Sequence, residues 1–315
     1  MIAIILKDTA QRVVIVSTIR DERPLAYNKP MSITFVIVTH NNEQTIEVCL
    51  KSVQQQKVGE ILIVDSASSD NTTAKASKLT GCEIINIPKN VGFGRGNNIG
   101  IHQALKKKPD YILILNPDVI LKKEALSKLL KAAAEKNNQG IFGPAIYQDD
   151  KIWSGGGVLD QKRYTAGVIT SIKTQEAYRV DYISGTCMLI PVSVFQTGLQ
   201  FYEPYFMYYE DVEFCLKAEA LGFSSYIVRD SEIIHSETSA QSTYQKSKQY
   251  YLARNHLLFV ERIAPFRVKL REIVRLPRTI WQHFQKHQNS GLIGIRDYFL
   301  RRFGRYDDFA KTSGT

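Results

Sequence analysis

Short runs of β-branched and other apolar residues alternate with amphipathic stretches through the first half of the chain. The apolar runs predict five buried strands, at residues 33–39, 61–65, 83–87, 111–116 and 141–146. The amphipathic stretches between them predict four helices, at 45–56, 71–80, 96–107 and 122–137. Strands that alternate with helices imply right-handed crossovers and a mostly parallel sheet with helices on its faces. The pattern therefore predicts an α/β, Rossmann-like fold.

The second half of the chain is less regular. Residues 153–178, which open with WSGGGVLD, are rich in glycine and predict a flexible loop. Further strands are predicted at 182–191, 225–228 and 233–235. A helix is predicted at 211–221, where it opens from an acidic pair and Gly222 ends it.

Polar clusters follow three of the predicted strands directly. THNN (39–42) ends the first strand, DSASS (65–69) ends the second, and NPD (116–118) ends the fourth. The carboxyl ends of parallel strands meet at one edge of a sheet, and ligands of open α/β sheets bind beyond that edge. The sequence therefore predicts a ligand site where these three clusters meet.

Length and composition limit the class of protein. The 315 residues are 44% hydrophobic, which is enough for a sizeable core in one large domain or two small ones. The sequence has no apolar run near the roughly 18 residues of a membrane-spanning helix. Lys7, Asp8 and Arg12 interrupt the apolar patches near the N-terminus, which argues against a signal peptide. The four cysteines have no CxxC spacing and predict reduced thiols, as in a cytoplasmic protein.

The net charge of +10 is concentrated near the C-terminal end of the chain. Residues 262–305 contain eleven lysines and arginines against two acids, Glu272 and Asp297. Apolar residues interleave with these cations, as in a basic amphipathic helix that binds an anionic membrane surface. A solvated helical tail that packs on the rest of the protein is the alternative. No RNA- or DNA-binding motif accompanies the charge, so a nucleic-acid partner is not expected.

Seven segments follow one another in a distinctive order: VIVTHNNEQTIEVCLKSVQQQ (36–56), ILIVDSASSDNT (61–72), NVGFGRGNNIG (90–100), YILILNPDV (111–119), SGTCMLIP (184–191), FMYYEDVEFCLKAEALGF (206–223) and IIHSE (233–237). Their order and spacing resemble the family 2 glycosyltransferases, which have the GT-A fold. The resemblance is to the branch that includes rhamnosyltransferases of bacterial surface polysaccharides, and it extends from Ile33 to Asn255.

This resemblance implies an inverting glycosyltransferase that moves rhamnose or another hexose from a dTDP- or UDP-sugar. The implied acceptor is a lipid-linked glycan or a polysaccharide, in cell-surface glycan synthesis at the inner face of the plasma membrane. The expected domains are an N-terminal extension (1–30), a GT-A domain (31–260) and a basic helical C-terminal region (261–315). Met31 is an alternative natural start, because MSITFVIVTHNN looks like a typical opening of the family.

By resemblance, polar residues after the first two strands bind the nucleotide of the donor. Asp65 is expected to accept the ring N–H of uracil or thymine, with Thr39 and Asn41 beside it. Capping of the following turn is an alternative role for Asp65. Arg95 and Asn98 are expected donor contacts in the glycine-rich segment, because glycines let the backbone approach a ligand and helix N–H groups favour phosphate.

The segment LNPD matches the family's Asp-x-Asp position, with Asn116 in place of the first Asp. The resemblance implies that Asp118 binds a divalent metal, Mg²⁺ or Mn²⁺, and that Asn116 contacts the donor. Such a hard cation prefers oxygen ligands and offsets charge on the leaving diphosphate. His235 is the second expected ligand, although the glycine that often follows it in relatives is missing here. A simple turn and a structural histidine are the alternatives.

The segment FMYYED (206–211) is expected to carry the chemistry. By resemblance, Asp211 is the base that deprotonates the acceptor hydroxyl, and Glu210 supports it. The alternative is that both acids only cap the following helix, whose dipole favours them. The aromatic residues before them are suited to walling a sugar pocket. Arg254 is a candidate contact to the diphosphate, or else a structural ion-pair partner.

Three other classes of protein fit the sequence less well. A non-catalytic sugar-nucleotide or glycan-binding module does not need Asp65, Asp118 and Asp211 together. A nucleotidyltransferase needs a glycine-rich loop with Arg or Lys directly after the first strand, where THNNEQTI stands instead. A nicotinamide-dependent oxidoreductase carries its glycines after the first strand, whereas here they follow the third.

Overall fold

The structure, a computed structural model, describes residues 31–57, 59–236 and 242–306. The expected N-terminal extension, 1–30, lies outside these residues. The elements of the first half are β1 (Ile33–Thr39), α1 (Ile46–Gln54), β2 (Glu60–Ser66), α2 (Thr72–Ala76), β3 (Cys82–Ile87), α3 (Gly92–Leu105), β4 (Tyr111–Leu115), β5 (Val119–Leu121) and α4 (Ala125–Glu135).

The second half has more strands than its sequence pattern predicts. Its elements are β6 (Gly140–Gln148), β7 (Lys151–Ser154), β8 (Gly157–Asp160), β9 (Thr165–Val168), β10 (Ala177–Val180), β11 (Cys187–Pro191), α5 (Val192–Gln196), a 3-10 turn (Glu203–Tyr205), α6 (Glu210–Ala220), β12 (Ser224–His235), α7 (Ser242–Ile263), α8 (Phe266–Gln285) and α9 (Asn289–Phe299).

One large sheet forms the centre of the described part of the chain. Its main path has the strand order β10-β12-β6-β11-β4-β1-β2-β3, with β5 paired to β12 and β7 to β6. Strands β3, β2, β1 and β4 pair in parallel, as do β6 and β12. Strand β11 is antiparallel to both of its neighbours and joins the two parallel groups. The predicted α/β class is confirmed.

The parallel strands end together at the predicted edge of the sheet. Thr39 at the end of β1 pairs with Asp65 of β2, and Ile37 pairs with Leu115 at the end of β4. The strands are buried on both faces, as their continuous apolar sequence requires. The polar residues that follow them therefore meet at one edge, as the sequence predicts.

Helix α3 begins at Gly92, four residues earlier than the predicted helix, so it includes most of the glycine-rich segment. Gly96 and Gly100 serve the packing of α3 on β1. A Cβ atom at Gly96 would lie 2.6 Å from Val38 Cγ1, and one at Gly100 would lie 2.4 Å from Val36 Cγ1. These two glycines therefore let helix and strand approach closely, which differs from the expected approach of backbone to ligand.

Two predictions for the second half are wrong in detail. The predicted flexible loop at 153–178 instead contains β8 and β9, which form a two-stranded sheet, and parts of β7 and β10. The two short strands predicted at 225–228 and 233–235 are one strand, β12, with an irregular register between Val228 and Glu232. Glycines in this region allow close packing against aromatic rings, since a Cβ at Gly157 would lie 2.3 Å from the ring of Tyr182.

The predicted basic helical region is present as α7, α8 and α9. Helix α7 continues to Ile263, so the expected boundary between residues 260 and 261 falls inside it, and the division of domains stays a prediction. Arg262 joins α7 to α6 through an ion pair of 2.7 Å with the buried Glu213. In the described part of the chain, none of the helices has the length and apolar character needed to cross a bilayer.

Candidate active site

Asp65 lies at the end of β2 and is almost fully buried. Its Oδ1 accepts the hydroxyl of Thr39 at 2.9 Å, and its Oδ2 accepts the amide of Ser68 at 3.0 Å. Asp65 therefore caps the turn after β2, as the alternative interpretation proposed. Each carboxylate oxygen has a second lone pair, so the expected contact with a nucleobase is compatible with this role and stays a prediction.

Asn41 is exposed at the end of β1 and holds the same turn from the other side. Its side-chain oxygen accepts a hydrogen bond from the main-chain amide of Ser69 at 2.8 Å, and its main-chain amide donates to the hydroxyl of Ser68 at 2.9 Å. Asn41 has φ +56, a left-handed conformation that asparagine tolerates better than most residues. The ends of β1 and β2 thus form one hydrogen-bonded rim, and the predicted nucleotide residues Thr39, Asn41 and Asp65 lie together on it.

The two expected donor contacts of α3 differ in how their side chains are used. Asn98 is half-buried, and its amide exchanges hydrogen bonds with the main chain of Phe201, at 2.9 Å and 3.0 Å. Arg95 is exposed and lies 3.7 Å from Glu203 in a loose ion pair. An exposed pair of this kind contributes little to stability. Arg95 is free to change partner when an anion binds, whereas Asn98 has a structural role in addition to any donor contact.

The expected metal ligands lie side by side. Asp118 follows β4, His235 ends β12, and the Asp118 Oδ2 atom is 3.3 Å from His235 Nε2. The antiparallel pairing of β5 with β12 brings them together, because Val119 pairs with His235. Trp153 packs against the imidazole with ring centroids 5.4 Å apart, so its ring supports His235.

Two buried atoms of this pair have no hydrogen-bond partner among the described residues: Asp118 Oδ1 and His235 Nδ1. A cation bound by the carboxylate would give Asp118 Oδ1 a partner and offset the cost of its burial, whereas His235 Nδ1 points away from Nε2 and would not contact an ion that Nε2 binds. The described residues contain no cluster of three or more His, Cys, Asp or Glu arranged for a metal. The pair therefore fits a Mg²⁺ or Mn²⁺ ion that takes its other ligands from substrate phosphate and water.

Asp211 lies in the first turn of α6 and is partly exposed. Its Oδ2 accepts the amide of Gly185 at 2.9 Å, and its Oδ1 accepts the amide of Val212 at 2.8 Å. Gly185 has no space for a side chain, because a Cβ there would lie 2.6 Å from the ring of Phe93. The carboxylate of this partly exposed residue is thus fixed in orientation by two amides.

The metal pair and Asp211 belong to one edge of the sheet. The amide of Asn116, directly after β4, donates to the carbonyl of Thr186 at 3.0 Å. Thr186 follows Gly185, whose amide holds Asp211. The NPD segment and the acidic pair of α6 are therefore connected through the Ser184–Thr186 turn, as expected for residues that act on one substrate.

Glu210 and Asp211 both have raised pKa values. Burial, and then the charge of Asp211, raises the pKa of Glu210 to about 8. Burial also raises the pKa of Asp211, and the amides of Gly185 and Val212 oppose the shift by stabilising the charged form. Glu210 Oε2 is buried and unpartnered among the described residues. Burial thus favours the protonated form of both acids, whereas the two amides favour the charged form of Asp211 that a general base needs.

Arg254 is fully buried, and its expected contact with a diphosphate stays a prediction. Its guanidinium donates to the carbonyls of Tyr205 at 2.7 Å and Gly304 at 2.9 Å. These contacts give Arg254 a structural role, with main-chain carbonyls and not an acid as partners.

Three residues near the site have roles that sequence reasoning did not find. Asn255 donates its side-chain amide to the main chain before α6, Phe93 packs on Gly185, and Asn97 is fully buried with its Oδ1 unpartnered among the described residues. Asn255 was visible only as a neighbour of Arg254 in the sequence. No periodicity or spacing distinguishes Phe93 and Asn97 from ordinary helix positions: Phe93 packs on a residue 92 positions away, and the side chain of Asn97 donates only to the carbonyl of Phe93 in its own helix.

Comparison with known proteins agrees with the geometry. The profile of the family described as "Glycosyl transferase family 2" matches residues 34–199, which is more than half of the chain. The chain therefore belongs to glycosyltransferase family 2. It is an enzyme of that family, and its sequence resembles the rhamnosyltransferase members.

Two curated relatives illustrate this similarity. The "Low-salt glycan biosynthesis hexosyltransferase Agl10" of Haloferax volcanii is 28% identical over 232 residues, covering 72% of this chain and 74% of the relative. The "dTDP-rhamnosyl transferase RfbF" of Shigella flexneri is 24% identical over 299 residues, covering 86% of this chain and 97% of the relative. The similarity thus spans most of each relative.

Two solved structures show the shared fold. Staphylococcus aureus TarS has a TM-score of 0.54 at 16% identity, over 90% of this chain but only 46% of the TarS chain. The mannosyltransferase PcManGT of Pyrobaculum calidifontis, solved with GDP-Man and Mn²⁺, has a TM-score of 0.55 at 15% identity, over 89% of this chain and 78% of that one. The fold is therefore the GT-A fold predicted from the sequence.

Proposed function

We propose that this glycosyltransferase moves rhamnose or another hexose from a dTDP- or UDP-sugar, with inversion, onto a glycan acceptor of the cell surface. One observation carries the proposal. A candidate metal pair, Asp118 and His235, and an oriented carboxylate, Asp211, lie at one sheet edge and are joined through the Ser184–Thr186 turn. The names of Agl10 and RfbF, which refer to glycan biosynthesis and dTDP-rhamnosyl transfer, support the choice of substrates.

In this proposal the nucleotide lies along the rim formed by β1 and β2. Asp65 accepts the ring N–H of uracil or thymine, which share that edge, so either base fits. Asn41 and Thr39 keep the rim in shape, and Asn116 lies between the rim and the metal pair. Arg95 leaves its loose pair with Glu203 to meet the diphosphate.

Asp118 and His235 are the residues that would hold a divalent metal. When bound there, the cation supplies positive charge that stabilises the leaving diphosphate. The mixed oxygen and imidazole ligands favour Mn²⁺ or Mg²⁺ over zinc. PcManGT was solved with Mn²⁺, which supports the same class of cofactor here.

Asp211 takes the proton of the acceptor hydroxyl as that oxygen attacks the anomeric carbon from the face opposite the diphosphate. The amides of Gly185 and Val212 hold the carboxylate in one orientation, which lowers the entropic cost of reaching the reactive geometry. Glu210, whose pKa is raised to about 8 by burial and by the charge of Asp211, lies beside it as the supporting acid. Direct displacement of this kind inverts the anomeric centre.

We also propose that the basic C-terminal region rests on an anionic membrane surface at the cytoplasmic face. Helix α8 exposes one row of large apolar side chains: Phe266, Leu270, Ile273, Val274, Ile280, Trp281 and Phe284. The same helix carries five cations: Arg267, Lys269, Arg271, Arg275 and Arg278. An apolar row with flanking cations complements acyl chains below anionic headgroups. A lipid-linked acceptor would then be delivered beside the site.

Calorimetric binding of UDP and dTDP, each with and without Mn²⁺, tests the nucleotide and metal site together. We expect binding that strengthens with Mn²⁺, and the tighter nucleotide identifies the donor class. Release of free nucleotide from dTDP-rhamnose and from UDP-glucose, with and without a lipid-linked acceptor, then measures turnover. Absence of binding to either nucleotide would favour the non-catalytic glycan-binding module instead.

A further inference from the structure

We propose that Arg254 and Asn255 are positioning residues for catalysis, which fasten the main chain at 204–209 so that Asp211 meets the acceptor. This inference rests on the proposed role of Asp211 as the base. It concerns a pair of α7 residues that are fully buried and whose hydrogen bonds go to each other, to Tyr250 and to main-chain carbonyls. Their effect on the reaction is therefore indirect, through the segment that precedes α6.

Asn255 directs one side-chain amide at three carbonyl groups of this segment. Its Nδ2 atom lies 3.0 Å from the carbonyl oxygen of Tyr205, 2.7 Å from that of Met207 and 2.9 Å from that of Tyr208. The segment has no regular secondary structure between the 3-10 turn and α6, so no ladder of main-chain hydrogen bonds fixes it. The Asn255 amide supplies a donor to three of its carbonyls, while the Tyr209 carbonyl accepts the amide of Glu213 in α6.

Arg254 extends the same contacts to both sides. Its Nη2 atom donates to the carbonyl of Tyr205 at 2.7 Å, and its Nη1 atom donates to the carbonyl of Gly304 at 2.9 Å. Its Nε atom donates to Asn255 Oδ1 at 2.9 Å, which fixes the orientation of the asparagine amide. The planar guanidinium thus joins the segment before α6, helix α7 and the chain after α9.

The fastened segment has a backbone that would not hold this shape alone. Phe206, Tyr208 and Tyr209 have φ values of +65, +70 and +76, in the left-handed region that large side chains avoid. Each such residue costs on the order of 1–3 kcal/mol, and persists only where its surroundings determine it. Strained backbone of this kind next to a reactive carboxylate indicates a segment that is shaped for function.

Helix α3 holds the segment from the opposite side. The amide of Phe93 donates to the carbonyl of Phe206 at 2.7 Å, and Gly92 leaves room for that carbonyl, since a Cβ there would lie 2.4 Å from it. This contact would remain if the α7 contacts were released. The start of α6, and with it the position of Asp211, would then be held less firmly, while the nucleotide rim of β1 and β2 stays intact.

The discriminating variant is Asn255→Asp, which has the same shape but offers carboxylate oxygen where the amide donates. We expect kcat to fall by about 10²-fold, the effect of a roughly 1 Å misplacement. The Kd for UDP or dTDP with Mn²⁺ should stay unchanged, because the donor residues do not contact Asn255. Arg301→Gln is the matched control, since Arg301 pairs with Glu261 at the surface of the same helices. It should keep wild-type kcat.

Each outcome decides the proposal. A folded Asn255→Asp enzyme with wild-type kcat would overturn it, and so would a parallel loss of nucleotide affinity, which would indicate a direct donor contact. If the variant does not fold, hydrogen exchange of the unaltered enzyme decides. The Phe93 amide donates to the Phe206 carbonyl, so its exchange rate reports on the rigidity of residues 204–209. It should exchange as slowly as amides in the centre of α7. Faster exchange would contradict the proposal that Arg254 and Asn255 fasten this segment. Nucleotide binding by the wild-type enzyme tests the proposed function separately.

Discussion

The carboxylate of Asp118 lies 3.3 Å from the imidazole of His235, although 117 positions separate them in the chain. The pairing of β5 with β12 produces this contact. Each side chain keeps one buried atom without a hydrogen-bond partner among the described residues, Oδ1 of Asp118 and Nδ1 of His235. A cation bound by the Asp118 carboxylate would give Oδ1 a partner, whereas His235 Nδ1 points away from Nε2 on the ring and would not contact the same ion.

Asp118→Ala should remove the Mn²⁺-dependent part of nucleotide binding. The cation would lose its carboxylate ligand and keep only imidazole, and disturbed metal sites commonly lose 10–100-fold in affinity, so we expect UDP binding in Mn²⁺ to weaken by about tenfold or more. Calorimetry in Mn²⁺ and in EDTA measures the difference. Glu135→Ala, at an exposed position of α4, is the control. If Mn²⁺ strengthened nucleotide binding equally in the Asp118→Ala variant and the wild type, the metal would have to bind at a site other than this pair.

The Asp211→Asn substitution should remove most of the turnover and leave the binding of the donor unchanged. The amide oxygen can still accept the hydrogen bond from Gly185, so the local geometry is kept while the basic group is lost. A general base typically contributes 10²–10⁴-fold, and we expect kcat to fall by about that factor. Steady-state kinetics with calorimetric Kd values checks both parts. Near-normal turnover in the variant would show that another group removes the proton.

The first half of the fold and its ligand edge were predictable because the signals there are local. Continuous β-branched runs must be buried, and each of them ends in polar residues. Asp65 and Asp118 are therefore recognisable from the strands that carry them. The contact of Asp118 with His235 required the resemblance to a family, since nothing local in the sequence relates the two positions.

Other features depend on tertiary contacts that one sequence does not reveal. The glycines of α3 indicate a loop by propensity, yet packing on Val36 and Val38 overrides that preference and starts the helix at Gly92. Arg254 was expected near a diphosphate because relatives of the family often carry an Arg-Asn pair at this position. Its burial arises from carbonyl groups about fifty residues away, which no periodicity predicts.

Gly100→Ala should destabilise the fold without changing the active site directly. The added Cβ would lie 2.4 Å from Val36 Cγ1 in the fully buried contact between α3 and β1. Overpacking in a tight core costs about 1–3 kcal/mol, and urea unfolding measures it as a lower midpoint. Gly167→Ala is the control, because its nearest neighbour would be 3.4 Å from the new Cβ. Equal midpoints for both variants would contradict the tight packing.

Glu210→Gln should change how stability depends on pH. The pKa of Glu210 is raised from its ordinary 4.5 to about 8, so the folded state binds a proton that the unfolded state has released. Stability should therefore be greatest below pH 4.5 for this group and fall as pH rises toward 8. The neutral glutamine removes that decrease. The urea midpoint of the variant should exceed that of the wild type mainly at pH 8.5, and much less at pH 5.5. An equal increase of the midpoint at both pH values would contradict the raised pKa of Glu210.

Truncation after Asn255 is a poor test of membrane contact, because it would cut α7 and remove Gly304, a partner of Arg254. The exposed face of α8 offers point variants instead. Ile273 and Trp281 are 67% and 59% exposed, so their replacement leaves the core intact.

Ile273→Ser with Trp281→Ser should weaken binding to anionic vesicles. Burying a large apolar side chain contributes about 1.5–3 kcal/mol, so losing two should lower the partition coefficient by at least about tenfold. Co-sedimentation with phosphatidylglycerol vesicles measures it, and phosphatidylcholine vesicles test the need for negative charge. Leu221→Ser, at a position that is 51% exposed after α6, is the matched control. Equal vesicle binding by the double variant and this control would rule out α8 as the lipid-facing surface.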